Sequence, residues 1–152
     1  MVIPDVNVLL HAYNLDSLCH STARDWWDET LTSDVQVGLA WITIIGFIRT
    51  ATHRTIVKRP LPAAEAIRRV RSWLDNPRVR LVTPGDKHAE ILFGLLETVG
   101  AAGNLTTDAH LAAVALEYRA EIASTDTDFA RFPGVRWFDP IKLAAKKKPH
   151  RS

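Results

Sequence analysis

Short apolar runs alternate with longer helical patterns along almost the whole chain, and this alternation limits the fold more than any other feature. Val2–Pro4, Val35–Leu39, Val79–Val82, Glu121–Ser124 and Val135–Phe138 each have the length and composition of a strand. Between them lie stretches with apolar residues at helical spacing: Val6–Tyr13, Leu18–Leu31, Ile42–His53, a segment carrying Ala63, Ile67, Val70 and Leu74, another carrying Ile91, Leu92, Leu95, Leu96 and Val99, and Asp108–Tyr118. Ile42–His53 is too long for a typical strand and reads as a buried helix despite its β-branched content. Strands separated by helices of ten or more residues predict an α/β fold, a short parallel sheet flanked by helices on both faces. Sheets of that kind carry their sites beyond the carboxyl ends of the strands, so the residues that follow strands matter most.

Aspartate recurs at those places. Asp5 follows the first strand, Asp126 and Asp128 follow the strand ending at Ser124, and Asp108 opens the apolar helix after the Gly103-Asn104 loop. An aspartate at a helix start is often only a cap. Thr106 and Thr107 precede Asp108 and are able to cap in its place, and one cap does not account for both Asp126 and Asp128. Carboxylates that converge repel each other unless a cation neutralises them. Hard oxygen ligands suit Mg²⁺ or Mn²⁺, which keep several waters and bridge to phosphate.

Composition removes other classes. The 152 residues fit one domain, and 47% hydrophobic content is enough for a core. The formal net charge is +2, yet residues 146–152 alone carry Lys146, Lys147, Lys148 and Arg151. The body is therefore mildly acidic, which excludes a nucleic-acid binder coated in positive charge. Cys19 is the single cysteine, so neither an internal disulfide nor a cysteine-based zinc framework is available. The opening residues lack the pattern of a signal peptide, and the longest apolar run, Val37 to Ile48, is short of the roughly 20 residues needed to span a bilayer; the expected location is the cytoplasm, with no membrane partner.

Three stretches together carry a family resemblance: PDVNVLL at 4–10, GNLTTDAHLAA at 103–113 and STDTDFARFPGVRW at 124–137. In this order and spacing the chain resembles the PIN-domain nucleases, and among them the VapC-type toxins of toxin–antitoxin pairs, over about residues 2–141. The resemblance implies a PIN-like three-layer sandwich and Mg²⁺-dependent cleavage of RNA phosphodiesters, with Mn²⁺ able to substitute and with tRNA or ribosomal RNA as expected targets. It implies Asp5, Asp108 and Asp126 as metal ligands, Asp128 as a further catalytic acid, and Asn7, Ser124 and Thr125 as polar neighbours of the metal. It also implies a VapB-type antitoxin and a homodimer as partners.

One departure stands out. Many family members carry a glutamate on the helix after the second strand, where this chain reads Thr43-Ile44-Ile45-Gly46-Phe47-Ile48-Arg49, with Gly46 at the acid's position. The number of bound ions, one or two, is left open by that change. A catalytically degenerate fold that only binds RNA or protein is the alternative reading. Asp5-Val6-Asn7 also resembles the start of the haloacid-dehalogenase-like phosphatases, but Asn7 replaces their general acid and the other two stretches go unexplained.

Cations and aromatics complete the expectations. Arg49, Arg54, Lys58 and Arg59 form an acid-free run suited to RNA phosphates, or equally to a solvated helix end. The six histidines show no spacing that pairs them with acids and read as structural or surface residues. Trp26 and Trp27 are adjacent on a helix, so one of them is a candidate for exposure. The domain is expected to occupy residues 1–141, with residues 142–152 as a disordered basic tail that adds salt-screened attraction for RNA.

Overall fold

The computed structural model describes residues 1–147. Five strands, β1 (Val2–Pro4), β2 (Val37–Ala40), β3 (Val79–Val82), β4 (Glu121–Ala123) and β5 (Arg136–Phe138), form one sheet in the order β3-β2-β1-β4-β5. Every neighbouring pair is parallel, with Val2 opposite both Val37 and Glu121. The chain winds outward from β1 through β2 to β3, then crosses back to place β4 on the other side of β1. The crevice between the ends of β1 and β4 is the point where the winding reverses.

Among the described residues seven helices cover the sheet: α1 (Val6–Tyr13), α2 (His20–Thr32), α3 (Trp41–Ala51), α4 (Ala63–Leu74), α5 (His88–Val99), α6 (Thr106–Glu117) and α7 (Pro140–Lys147). The expected α/β class is therefore what forms, and most expected elements start and stop within two or three residues of the observed ones. The sheet separates two cores. On one face Leu9, Trp27, Val37, Phe47, Val70 and Trp73 join α1, α2, α3 and α4. On the other, Ile3, Val82, Leu95, Leu111 and Phe129 join α5 and α6 to the strands.

Helix α6 is buried on nearly every side, from Ala109 through Leu111 to Ala115. Its alanines allow close approach to the sheet, and this holds the helix start at a fixed height above the β1–β4 crevice. Helix α3 is tied down differently. The Thr43 hydroxyl donates to the Pro4 carbonyl at 3.0 Å in a buried bond, fixing the first turn of α3 over the end of β1. Gly100, at φ +71°, adopts the left-handed conformation that ends α5.

The boundary expected at residue 141 falls inside a helix. Asp139 caps the start of α7 by accepting from the Ile141 and Lys142 amides at 2.9 and 3.2 Å, and Ile141 packs on the tryptophan-lined core. An Asp cap followed by proline in the first turn is a helix-start signal that the basic composition of the segment masks. The remaining residues of the expected tail, 148–152, lie outside the described residues. Of the paired tryptophans, Trp27 is fully buried, while Trp26 is half-buried against Phe138 with ring centroids 6.2 Å apart. The exposed tryptophan is Trp41, at 51%.

Candidate metal centre

The ends of β1 and β4 bring the aspartates together. Asp5 leaves β1 with its amide bonded to the Ala123 carbonyl at 2.9 Å, which locks the two strand ends to each other. Its Oδ1 accepts from the Val6 amide at 2.7 Å and so caps α1. Its Oδ2 accepts from the Ser124 hydroxyl at 2.7 Å. Capping and site membership thus coincide in one residue. Asp126 behaves likewise: its Oδ1 accepts from the Asp128 amide at 2.8 Å and caps the short 3-10 helix Thr127–Arg131.

Asp108 arrives from the other direction, on the first turn of α6. One carboxylate oxygen each from Asp108, Asp126 and Asp128 lies within 4.8 Å of the other two, a spacing that a single cation can span. Asp5 and Asp108 line a common cavity of about 130 Å³ with Val6, Thr43, Gly46, Arg49 and Thr107. The four carboxylates therefore face one crevice. Among the described residues one basic group stands within ion-pair distance of any of them, Arg131, 3.8 Å from Asp128.

That charge imbalance leaves an electrostatic trace. Burial pushes the Asp5 carboxyl above its usual range, the Ser124 and Val6 hydrogen bonds oppose the rise, and the Asp126 charge adds to it. Asp108 is pushed up to about 6, first by burial and then by the charges of Asp5, Asp126 and Asp128. A group of acids held together against mutual repulsion fits a divalent cation, and an all-oxygen donor set favours a hard ion. The donors present are those such an ion requires.

The neutral residues act on the acids rather than beside them. Asn7 donates from Nδ2 to Ser124 Oγ at 3.2 Å and accepts from the Thr125 amide at the same distance. Ser124 Oγ also accepts from the Asp126 amide at 3.0 Å. Asn7 and Ser124 thus set the position of both Asp5 and the loop that carries Asp126 and Asp128. With its amide engaged in this way, Asn7 ties the start of α1 to Ser124 and the Thr125 backbone.

Gly46 lies at the cavity wall. A Cβ there would stand 3.1 Å from Val6 Cγ2, so α1 and α3 have closed over the space where a longer residue would begin. The basic run divides. Arg49 lines the acidic cavity. Arg54 and Lys58 are exposed beyond the end of α3. Arg59 pairs with Asp16 at 2.9 Å and lines a second cavity of about 350 Å³, walled by Tyr13, Arg24, Phe47 and Arg69, away from the carboxylates.

Two of the histidines belong to a partly buried hydrogen-bonded cluster. His88 pairs with Glu117 at 3.1 Å and with His110 at 2.9 Å, far from either residue in sequence. No local spacing signals this cluster; it exists because α5 packs on α6. His150 lies outside the described residues.

A parallel sheet with carboxylates gathered at its reversal point puts the candidate site where open α/β sheets carry theirs. The PIN domain family model matches residues 2–135, and the chain belongs to the PIN-domain family. Among curated relatives it is 46% identical over 142 residues to the ribonuclease VapC33 of Mycobacterium tuberculosis, covering 93% of this chain and 99% of the relative. It is 47% identical over 143 residues to the ribonuclease VapC37 of the same organism, covering 94% and 99%. Among solved structures it resembles VapBC2 of Rickettsia felis bound to a promoter DNA fragment, with a TM-score of 0.66 at 15% identity over 91% of this chain and 98% of that one. It also resembles M. tuberculosis VapC20, described as a sarcin-ricin loop cleaving toxin, with a TM-score of 0.64 at 20% identity over 90% and 99%. The family implies a divalent metal ion, and the acidic cluster is in place for it.

Proposed function

We propose that this PIN-domain protein is a metal-dependent endoribonuclease, the toxin of a VapBC-type pair, with Mg²⁺ as its ion and Mn²⁺ able to replace it. One observation carries the reading: four aspartates from β1, α6 and the loop after β4 face one crevice with almost no basic compensation. The names of the relatives, ribonucleases at 46–47% identity over nearly full length, support the same conclusion.

Asp108, Asp126 and Asp128 hold the ion, with Asp5 facing them across the cavity. A divalent ion supplies a bound water of lowered pKa and neutralises charge on the phosphate. Asp5, outside that trio, would complete the ligand set or accept the proton of a metal-bound water. Ser124 and Asn7 keep Asp5 aimed into the crevice, and Thr125 fixes Asn7 through its amide. Among the described residues Arg49 is the cation in the cavity wall, and it receives the phosphate of the RNA backbone. Gly46 leaves the ligand set one carboxylate short of the usual family pattern, so one ion binds tightly before RNA arrives. Hydrolysis by this route leaves 5′-phosphate and 3′-hydroxyl ends.

Control by an antitoxin is supported by the solved structures that this chain resembles, among them a toxin–antitoxin complex from Klebsiella pneumoniae, and the protein self-associates as a homodimer. Structured RNA, tRNA or ribosomal RNA, is the proposed substrate class. No helix of the described residues is long and apolar enough to cross a membrane. Sequencing of 5′-phosphate RNA ends after brief induction in cells tests the reading. A discrete set of sites that vanishes in Asp108→Asn supports it, and an unchanged RNA population refutes it.

A further inference from the structure

The His88–His110–Glu117 cluster lies outside the acidic centre. His88 opens α5, and His110 and Glu117 are seven residues apart on one face of α6. Glu117 is held rigidly: its two oxygens accept from the Gly85 amide at 3.1 and 3.2 Å. One of those oxygens, Oε2, also lies 3.1 Å from His88 Nδ1, and the Glu117 and His88 side chains are only 11% and 12% exposed. A carboxylate accepts and does not donate, so His88 carries its proton on Nδ1. Its Nε2 is then a lone pair, and it lies 2.9 Å from His110 Nδ1, with the rings nearly perpendicular at 73°.

Two features of this arrangement match a metal site. A carboxylate on the remote nitrogen of an imidazole fixes the ring and strengthens it as a ligand. Two nitrogens each about 2.0–2.1 Å from one ion and at right angles to each other stand about 2.9 Å apart. We infer that His88 Nε2 and His110 Nδ1 form a two-histidine site for a transition-metal ion of tetragonal preference, Cu²⁺ or Ni²⁺, oriented by Glu117 and separate from the carboxylate crevice. Imidazole nitrogens select such ions over Mg²⁺, whereas the aspartates do the reverse. In the metal-free form His110 shares its Nδ1 proton with His88; in the loaded form that proton resides on His110 Nε2. Half-buried His110 gives the ion its way in, and waters complete the coordination. A loaded site ties α5 to α6, the helix that carries Asp108.

The test titrates Cu²⁺ into the full chain in millimolar Mg²⁺ and records the electron paramagnetic resonance spectrum. The expected result is about one equivalent of Cu²⁺ showing hyperfine structure from two nitrogens. His88→Gln and His110→Gln each remove that pattern, and Glu117→Gln weakens binding roughly 10–100-fold. Circular dichroism checks each variant for folding, and half-buried His110→Gln serves if His88→Gln unfolds. Oxygen-only ligation in the wild type, or a nitrogen pattern that survives in the folded His110→Gln variant, overturns the site and leaves the pair as a plain hydrogen bond. Because nitrogen and oxygen ligation give different spectra, the outcome is independent of whether the aspartates support RNA cleavage.

Discussion

Replacing Asp108 by asparagine should stabilise the metal-free protein while removing its metal binding. Asp108 rises from 3.8 to about 6 because it is partly buried and faces Asp5, Asp126 and Asp128. A shift of that size corresponds to at most about 3 kcal/mol at 1.36 kcal/mol per pKa unit. The carboxyl is only half-buried, so solvent screening reduces the expected effect to about 1 kcal/mol. The sign follows from linkage. The folded state holds the Asp108 proton more tightly than the unfolded chain does, so the ionised carboxylate costs stability. That cost is fully present above a pH of about 6, fades as pH falls toward 3.8, and is gone below it. The asparagine side chain is neutral throughout. In chelator at a pH of about 7.5 the melting temperature of the variant should therefore rise by about 2–4 °C, and the gain should disappear below about pH 3.8. Mg²⁺ should reverse the order, because wild type gains stability from the bound ion as its concentration rises and the variant does not. Differential scanning calorimetry with and without Mg²⁺ measures both effects. A variant that melts below wild type in chelator at neutral pH would refute the view that the carboxylates are held against their own repulsion.

Other consequences are equally direct. Metal affinity should fall about tenfold per pH unit once pH drops below the Asp108 value of about 6, because the proton and the ion compete for one carboxylate; isothermal titration with Mn²⁺ across that range checks it. Ser124→Ala removes the hydrogen bond that favours ionised Asp5, so the acid limb of the rate profile should move to higher pH. Thr43→Val breaks the buried bond to the Pro4 carbonyl and should cost about 1–3 kcal/mol in urea denaturation. Trp27 Nε1 is buried without a hydrogen-bond partner among the described residues, whereas Trp73 Nε1 donates to the Tyr13 hydroxyl at 2.9 Å. Trp27→Phe should accordingly destabilise less than Trp73→Phe in the same denaturation assay.

Much of the fold is local chemistry and could be read in advance. Val6–Tyr13 and Val79–Val82 appear with the boundaries that periodicity and flanking residues indicate, and α4 ends at Leu74 just before Asn76-Pro77. The aspartates were visible for the same reason: a parallel sheet sends the residue after each strand to one edge, so Asp5 and Asp126 had to approach each other. What sequence could not resolve depends on three-dimensional closure. Arg49 and Arg59 belong to one run of cations, yet α3 ends between them, and one faces the carboxylates while the other pairs with Asp16. Glu117 reaches His88 only through the packing of α5 on α6. Helix α7 was hidden by its lysines, because its stability comes from Ile141 against the tryptophan core and from the Asp139 cap rather than from a long apolar face. The closure of Val6 over Gly46 likewise gives the missing family acid a packing context that no motif records.

The central claim is that the aspartate crevice hydrolyses RNA with the help of a divalent ion. It is tested most directly by incubating the purified chain with total RNA in Mg²⁺, in EDTA, and as Asp5→Asn and Asp108→Asn, and mapping the termini produced. The account predicts discrete cleavage with 5′-phosphate and 3′-hydroxyl ends in Mg²⁺ alone, and loss of cleavage in EDTA and in both folded variants. Cleavage that persists in EDTA, leaves cyclic phosphates, or survives in both variants would contradict it.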